Sequence, residues 1–166
     1  MVVLGVDPGY AIIGYGVVSF DNVRFKPIEY GAITTKAHTL FTDRLSKIYN
    51  GISDIIDRLK PEAVAIEKLY FNTNTTTAID VAQARGVILL AATQKGIPVY
   101  EYTPLQVKQS VTGYGRAEKN QVMDMVKHLL NLREVPKPDD TADALALAIC
   151  HSHYSCSLYS RLEGKI

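Results

Sequence analysis

No apolar run in this chain approaches the ~20 residues that a bilayer-spanning helix needs, which excludes a membrane-spanning segment of that kind. The N-terminus has no basic n-region and no cleavage site, so no signal peptide is expected. Cysteine is scarce. Cys150 and Cys156 are the two present, and they lack CxxC spacing. That argues against a disulfide framework and a thiolate metal site, and both thiols are expected free in a reducing compartment. The expected location is cytoplasmic, with no membrane partner. Net charge is also nearly absent, at +1 over 166 residues, so the overall balance does not announce a polyanion binder. Repeats, linkers and low-complexity segments are missing too. Residues 1–166 read as one domain.

Charge is nevertheless uneven. Lys108, Arg116, Lys119, Lys127 and Lys137 gather in the second half, with no acidic block until Asp139. They form either a basic surface or ordinary solvated side chains. Residues 2–7, 12–20 and 23–34 read as three strands in an antiparallel meander, with Asp21-Asn22 as a turn. Phe41, Leu45, Ile48, Ile52, Ile55 and Leu59 recur at helical spacing, and Lys60-Pro61 ends that helix. A strand over 63–67, a helix over 74–95 and a strand over 97–101 follow. Next come a helical turn near 104–111 and the glycine-punctuated loop TGYGRAEKN. Helices over 119–131 and 139–153 complete the chain. The fold class is α/β: a mixed five-stranded sheet, antiparallel meander plus parallel strands, flanked by helices.

The chemistry is concentrated in carboxylates. Asp7 ends an apolar strand with no basic neighbour in sequence, an expensive placement for an isolated charge. Glu67 ends the fourth strand in the same way. If those strands are parallel neighbours, both carboxylates reach one sheet edge, where α/β proteins bind ligands. Asp140 and Asp143 stand three apart and share a face of the last helix. Four converging carboxylates are tolerable when divalent cations sit among them. Hard oxygen donors without a His or Cys cluster suit Mg²⁺ or Mn²⁺, and a two-ion clamp suits phosphoryl chemistry. Each residue also has a plainer reading. Asp7 before Pro8-Gly9 could form a turn, Glu67-Lys68 could be an exposed strand end, and Asp139 and Asp140 could cap a helix, a reading preferred for Asp139.

The stretches LGVDPGYAIIGYGVV, AIEKLYF, AQARG, QVKQSVTGYGRAEKNQV and DDTADALALAICH lie in order along nearly the whole chain. Together they resemble the RuvC family of bacterial Holliday-junction resolvases. The resemblance implies a ribonuclease H-like fold and a homodimeric endonuclease that nicks two strands of like polarity in a four-way DNA junction. It implies that Asp7, Glu67, Asp140 and Asp143 are the catalytic residues and ligands of Mg²⁺, two ions per site, with Mn²⁺ as a substitute. It matches Lys108 and Lys119 to lysines that contact DNA or aid catalysis. Arg116 joins them as a DNA-binding candidate, and Tyr70 aligns with an aromatic beside the metal site that can stack on an unpaired base. The RuvA–RuvB branch-migration machinery is the implied protein partner. For the helix over 74–95, stripes of Ile79, Ala82, Gly86, Leu89 and Thr93 and of Val81, Ile88 and Ala92 would serve the sheet and a second copy. Three rival readings are an ATPase of the actin and sugar-kinase type, a junction-binding module without nuclease activity, and a ribonuclease H-like nuclease acting on RNA–DNA hybrids.

Overall fold

The computed structural model describes residues 1–69 and 75–156. Tyr70 and Phe71, the aromatic candidates, lie outside the described residues. In chain order the elements are β1 (Val2–Asp7), β2 (Ile12–Phe20), β3 (Phe25–Thr34), α1 (Phe41–Leu59), β4 (Ala63–Glu67), α2 (Thr75–Gln94), β5 (Val99–Tyr102), α3 (Pro104–Thr112), α4 (Lys119–Leu129) and α5 (Asp139–Cys156). The sheet order is β3-β2-β1-β4-β5. The β1–β2 and β2–β3 pairs are antiparallel, and the β1–β4 and β4–β5 pairs are parallel.

Strand periodicity divides the core. Val3 and Ala65 face one side with Val18, against Leu145 and Ile149 of α5 and Val122 and Val126 of α4. Leu4, Val6, Val64 and Ile66 face the other, against Ile48 and Ile52 of α1 and Ile88 of α2. Both faces of β1 and β4 are covered, which explains their continuous apolar runs. The same period of two decides where the strand-end carboxylates go. Asp7 follows Val3 and Gly5 onto the α5 face, and Glu67 follows Ala65.

Several element ends shift by one to three residues from the sequence expectation, β5 running Val99–Tyr102, α4 ending at Leu129 and α5 reaching Cys156, and two of the differences have a clear local cause. β3 starts at Phe25, because the Asp21 carboxylate accepts from the Val23 and Arg24 amides at 3.0 and 2.7 Å and draws those residues into the turn. The helical turn near 104–111 is a nine-residue helix, α3. The Thr103 hydroxyl accepts from the Gln106 amide at 3.1 Å, the Gln106 side chain accepts from the Thr103 amide at 2.8 Å, and Pro104 occupies the first turn. This capping box satisfies amides that would otherwise lack partners.

Candidate active site

The site begins with what β1 and β2 lack. A Cβ at Gly5 would stand 1.9 Å from the Ala144 carbonyl oxygen, and one at Gly14 would stand 1.9 Å from that of Asp140. At Gly16 it would meet the Leu145 side chain at 2.6 Å. Gly5 and Gly16 are cross-strand partners, and Gly14 pairs with Asp7. This patch without side chains lets the α5 backbone lie directly on the sheet. The Thr141 hydroxyl, which donates to the Gly31 carbonyl at 3.1 Å, ties the first turn of α5 to β3. Asp140 and Asp143 are thereby held at the end of β1. Glu67 arrives from β4, whose Ile66 pairs in parallel with Val6.

The electrostatics record the convergence. Burial, then the charges of Glu67, Asp143 and Asp140, push the Asp7 carboxyl up to about 8. Lys119 opposes that shift. Burial and the Asp143 charge raise Glu67 as well, again against Lys119. Lys119 opens α4, and its ammonium lies 3.0 Å from Asp143 and 3.9 Å from Asp139. Burial works against that ammonium, but the hydrogen bond and charge of Asp143, with Asp139 and Asp7, outweigh it and raise its pKa. Lys119 thus acts as an internal counter-ion to the cluster.

Glu67, Lys108, Lys119 and Asp143 line a cleft of about 280 Å³ whose apolar wall includes Val107, Val122 and Leu147. Lys108 is half-buried on α3. Arg116 is exposed on the loop before α4 and is not among the residues lining the cleft. Asp139 is the first residue of α5, and its carboxylate accepts from Lys137 at 2.7 Å. That bond and the lysine charge hold its carboxyl below the usual range. His151 and His153 pack rather than join the cluster. His151 is buried with Nδ1 2.7 Å from the Tyr102 hydroxyl, and His153 meets Phe25 edge-on at 5.1 Å.

The donor set is all carboxylate oxygen, which suits a hard divalent cation. The four residues influence one another, yet among the described residues no group of three His, Cys, Asp or Glu is already arranged to hold a metal ion.

Sequence reasoning gave no role to Arg85, although it quoted the AQARG segment. Arg85 turns inward from α2, pairs with Glu101 of β5, and donates from Nε to the Glu67 carbonyl at 3.5 Å. The available signal was a single charge within VAQARGVILLAATQ, an otherwise uncharged stretch.

Comparison with known proteins gives this arrangement a context. The family model described as crossover junction endodeoxyribonuclease RuvC matches residues 3–151, a span that contains all four carboxylates. A relative from Desulfitobacterium hafniense with that name is 57% identical over 166 residues, covering 100% of both chains. The solved structure of Thermus thermophilus RuvC superposes with a TM-score of 0.89 at 35% identity, covering 100% of each chain. Thermus thermophilus RuvC in complex with a Holliday junction substrate gives a TM-score of 0.91 at 36% identity, over 99% of this chain and 98% of that one. The fold is therefore ribonuclease H-like, as the sequence resemblance implied. With the likeness extending from β1 through α5 in both sequence and architecture, the chain belongs to the RuvC family of crossover junction endodeoxyribonucleases.

Proposed function

We propose that this protein is a divalent-metal-dependent endonuclease that resolves four-way DNA junctions, with Asp7, Glu67, Asp140 and Asp143 as its metal-binding carboxylates. The single observation that carries this reading is geometric: parallel β1 and β4 bring Asp7 and Glu67 to one end of the sheet on the α5 face, where α5 lies against Gly5 and Gly14 and delivers Asp140 and Asp143. That crowding also pushes the Asp7 carboxyl up to about 8, by burial and by the other three carboxylates. A buried cluster that resists its own ionisation is a site that gains by taking up a cation. Mg²⁺ is the expected ion and Mn²⁺ the substitute, since both prefer hard oxygen donors. When bound, a pair of such ions supplies Lewis acidity to the scissile phosphate and lowers the pKa of the attacking water.

The remaining chemistry belongs to the chain. Lys119 holds positive charge beside Asp143, where it can meet the charge building on a phosphate. Lys108 stands on the cleft wall with Glu67 and suits a second phosphate contact. Arg116, exposed beyond the cleft, suits the flanking DNA backbone rather than the reacting phosphate. Tyr70 keeps its role as a stacking candidate from sequence. The products are nicked duplexes with 5′-phosphate and 3′-hydroxyl ends.

Two symmetric nicks require two sites, which makes a homodimer the natural assembly. The outward stripe of α2 runs through Ile79, Gln83, Gly86, Leu90 and Thr93. Ile79, Gly86 and Thr93 of the stripe expected from sequence lie on it, and Gln83 and Leu90 stand where Ala82 and Leu89 were expected. Ala82 and Leu89 are half-buried, whereas Ile79 and Leu90 are 65% and 50% exposed. We place the second copy on that stripe. Residues 1–166 act as a single nuclease domain in the cytoplasm, with RuvA–RuvB as the branch-migration partner.

The test is a synthetic four-way junction with each strand separately labelled, incubated with and without Mg²⁺. Paired nicks in two strands of like polarity, dependent on the ion, are expected. Binding with no nicking at any Mg²⁺ concentration would leave a junction-binding module. Preference for an RNA–DNA hybrid in competition would point to a different ribonuclease H-like nuclease.

A further inference from the structure

Between Asp80 and Lys95 the chain carries one charge, Arg85, and that side chain is 14% exposed. Burial lowers its pKa, so its placement has a cost. An apolar residue of similar length would fill the same space without the desolvation penalty. Only arginine offers a planar fork that reaches two acceptors in fixed geometry. Here the guanidinium forms an ion pair with the Glu101 carboxylate and donates from Nε to one acceptor, the main-chain carbonyl of Glu67, at 3.5 Å.

Strand register explains why these two partners lie together. Ile66 pairs with Glu101 and Glu67 with Tyr102 across the parallel β4–β5 ladder. Ile66 faces the α1–α2 layer, so Glu101 points there as well and meets Arg85. Glu67 sends its side chain to the opposite face, toward α5, while its carbonyl remains within reach from behind. The Lys68 amide bonds the Tyr102 carbonyl at 2.9 Å and closes the ladder at this point. Beyond that bond β4 has ended, and the Glu67 carboxylate is repelled by Asp143. A strand end under that load needs a restraint if its carboxylate is to keep its place.

We propose that Arg85 is a positioning residue for the carboxylate site: held by Glu101, it clamps the main chain of Glu67 from behind the sheet and fixes the point from which that carboxylate projects. The inference rests on the reading of Glu67 as a metal ligand.

The experiment uses the full-length protein with Arg85→Met, Arg85→Lys, Glu101→Gln and, as a reference, Glu67→Gln. Four quantities are measured: Mn²⁺ binding to metal-free protein by calorimetry, the Mg²⁺ concentration for half-maximal junction cleavage, junction affinity without divalent ions, and thermal melting. Arg85→Met should weaken Mn²⁺ binding and raise the Mg²⁺ midpoint by about 10–100-fold, as loss of a ligand's supporting contact does. Junction affinity should be unchanged. Arg85→Lys should recover part of the loss, and Glu101→Gln should shift the midpoint in the same direction by less. If Arg85→Met does not fold, the lysine and glutamine variants decide the question. Folded variants that melt lower but keep wild-type Mn²⁺ affinity and Mg²⁺ midpoint would reduce Arg85 to a structural residue. Full activity in Glu67→Gln would instead overturn the reading of the site itself.

Discussion

Gly14 lies flat against the carbonyl of Asp140, so close that a Cβ at Gly14 would stand 1.9 Å from that oxygen. The contact joins the strand paired with Asp7 to the helix turn that delivers two of the four carboxylates. Backbone faces backbone there, so no side chain can rotate away. Gly14→Ala must push the start of α5 outward. A stability loss of about 1–3 kcal/mol is expected from the forced repacking. Cleavage should fall further than stability does, by about 10²-fold, because displacing catalytic groups by ~1 Å is enough for a loss of that size. Melting curves beside single-turnover cleavage separate the two, and near-normal cleavage would show that α5 does not need this contact.

Asp7 makes the metal-free protein sensitive to pH, and the sign is unusual for an aspartate. Its carboxyl ordinarily titrates near 3.8, but in the folded chain it is pushed up to about 8, first by burial and then by Glu67, Asp143 and Asp140. Between those two values the folded state keeps a proton that the unfolded state has released. Raising pH through that window therefore favours unfolding. The penalty is absent below the lower value and complete above the upper. Asp7→Asn removes it. With a chelator present, that variant should melt more than about 5 °C above wild type at pH 8 and together with it at pH 4. It should also bind a junction without cutting it. Equal melting at pH 8 would mean that the cluster does not strain the fold.

Lys119 is the cation that the cluster already possesses, 3.0 Å from Asp143. Lys119→Met leaves the carboxylates to repel one another and removes a positive charge from the cleft. Single-turnover cleavage should drop by about 10²-fold, the usual loss for one electrostatic contact to developing charge. Metal-free stability should fall at pH 8, where Asp7 is most ionised, and recover when Mg²⁺ is added. Lys119→Arg should keep the stability and part of the rate. A wild-type rate in the methionine variant would make Lys119 a surface charge.

How much of this was legible in the sequence depended on range. Asp7 and Glu67 were visible because each ends an apolar run. Asp143 was visible because a charge within an Ala- and Leu-rich helix has no plain explanation. Their meeting needed more: β1 and β4 as parallel neighbours, and strand periodicity that sends both carboxylates to the α5 face. The glycines of β1 and β2 were in plain view, but what each one touches is a helix more than 120 residues away in the chain, which local pattern does not encode. Arg85 was hidden for the same reason, since its partners come from two other strands. For α2 the apolar residues encircle the helix, and spacing does not say which stripe the sheet covers. α3 was expected only as a helical turn, because the Thr103–Gln106 capping box that starts it went unread in the sequence.

The outward stripe of α2 yields the last expectation. Ile79 is 65% exposed and Leu90 50% exposed, and nothing lies within 4 Å of a Cβ built at Gly86 between them. With the second copy proposed on this stripe, a bulge on one copy would fit the gap on the other across a two-fold axis. Leu90→Asp places charge in that contact at a position already 50% exposed in the single chain. Sedimentation equilibrium should find wild type at twice the chain mass and the variant at once, with the same circular dichroism. Junction nicking should then lose its pairing, so that labelled strands are cut independently rather than in the same encounter. If Leu90→Asp and Ile79→Asp both keep the double mass, the second copy sits elsewhere and α2 faces solvent.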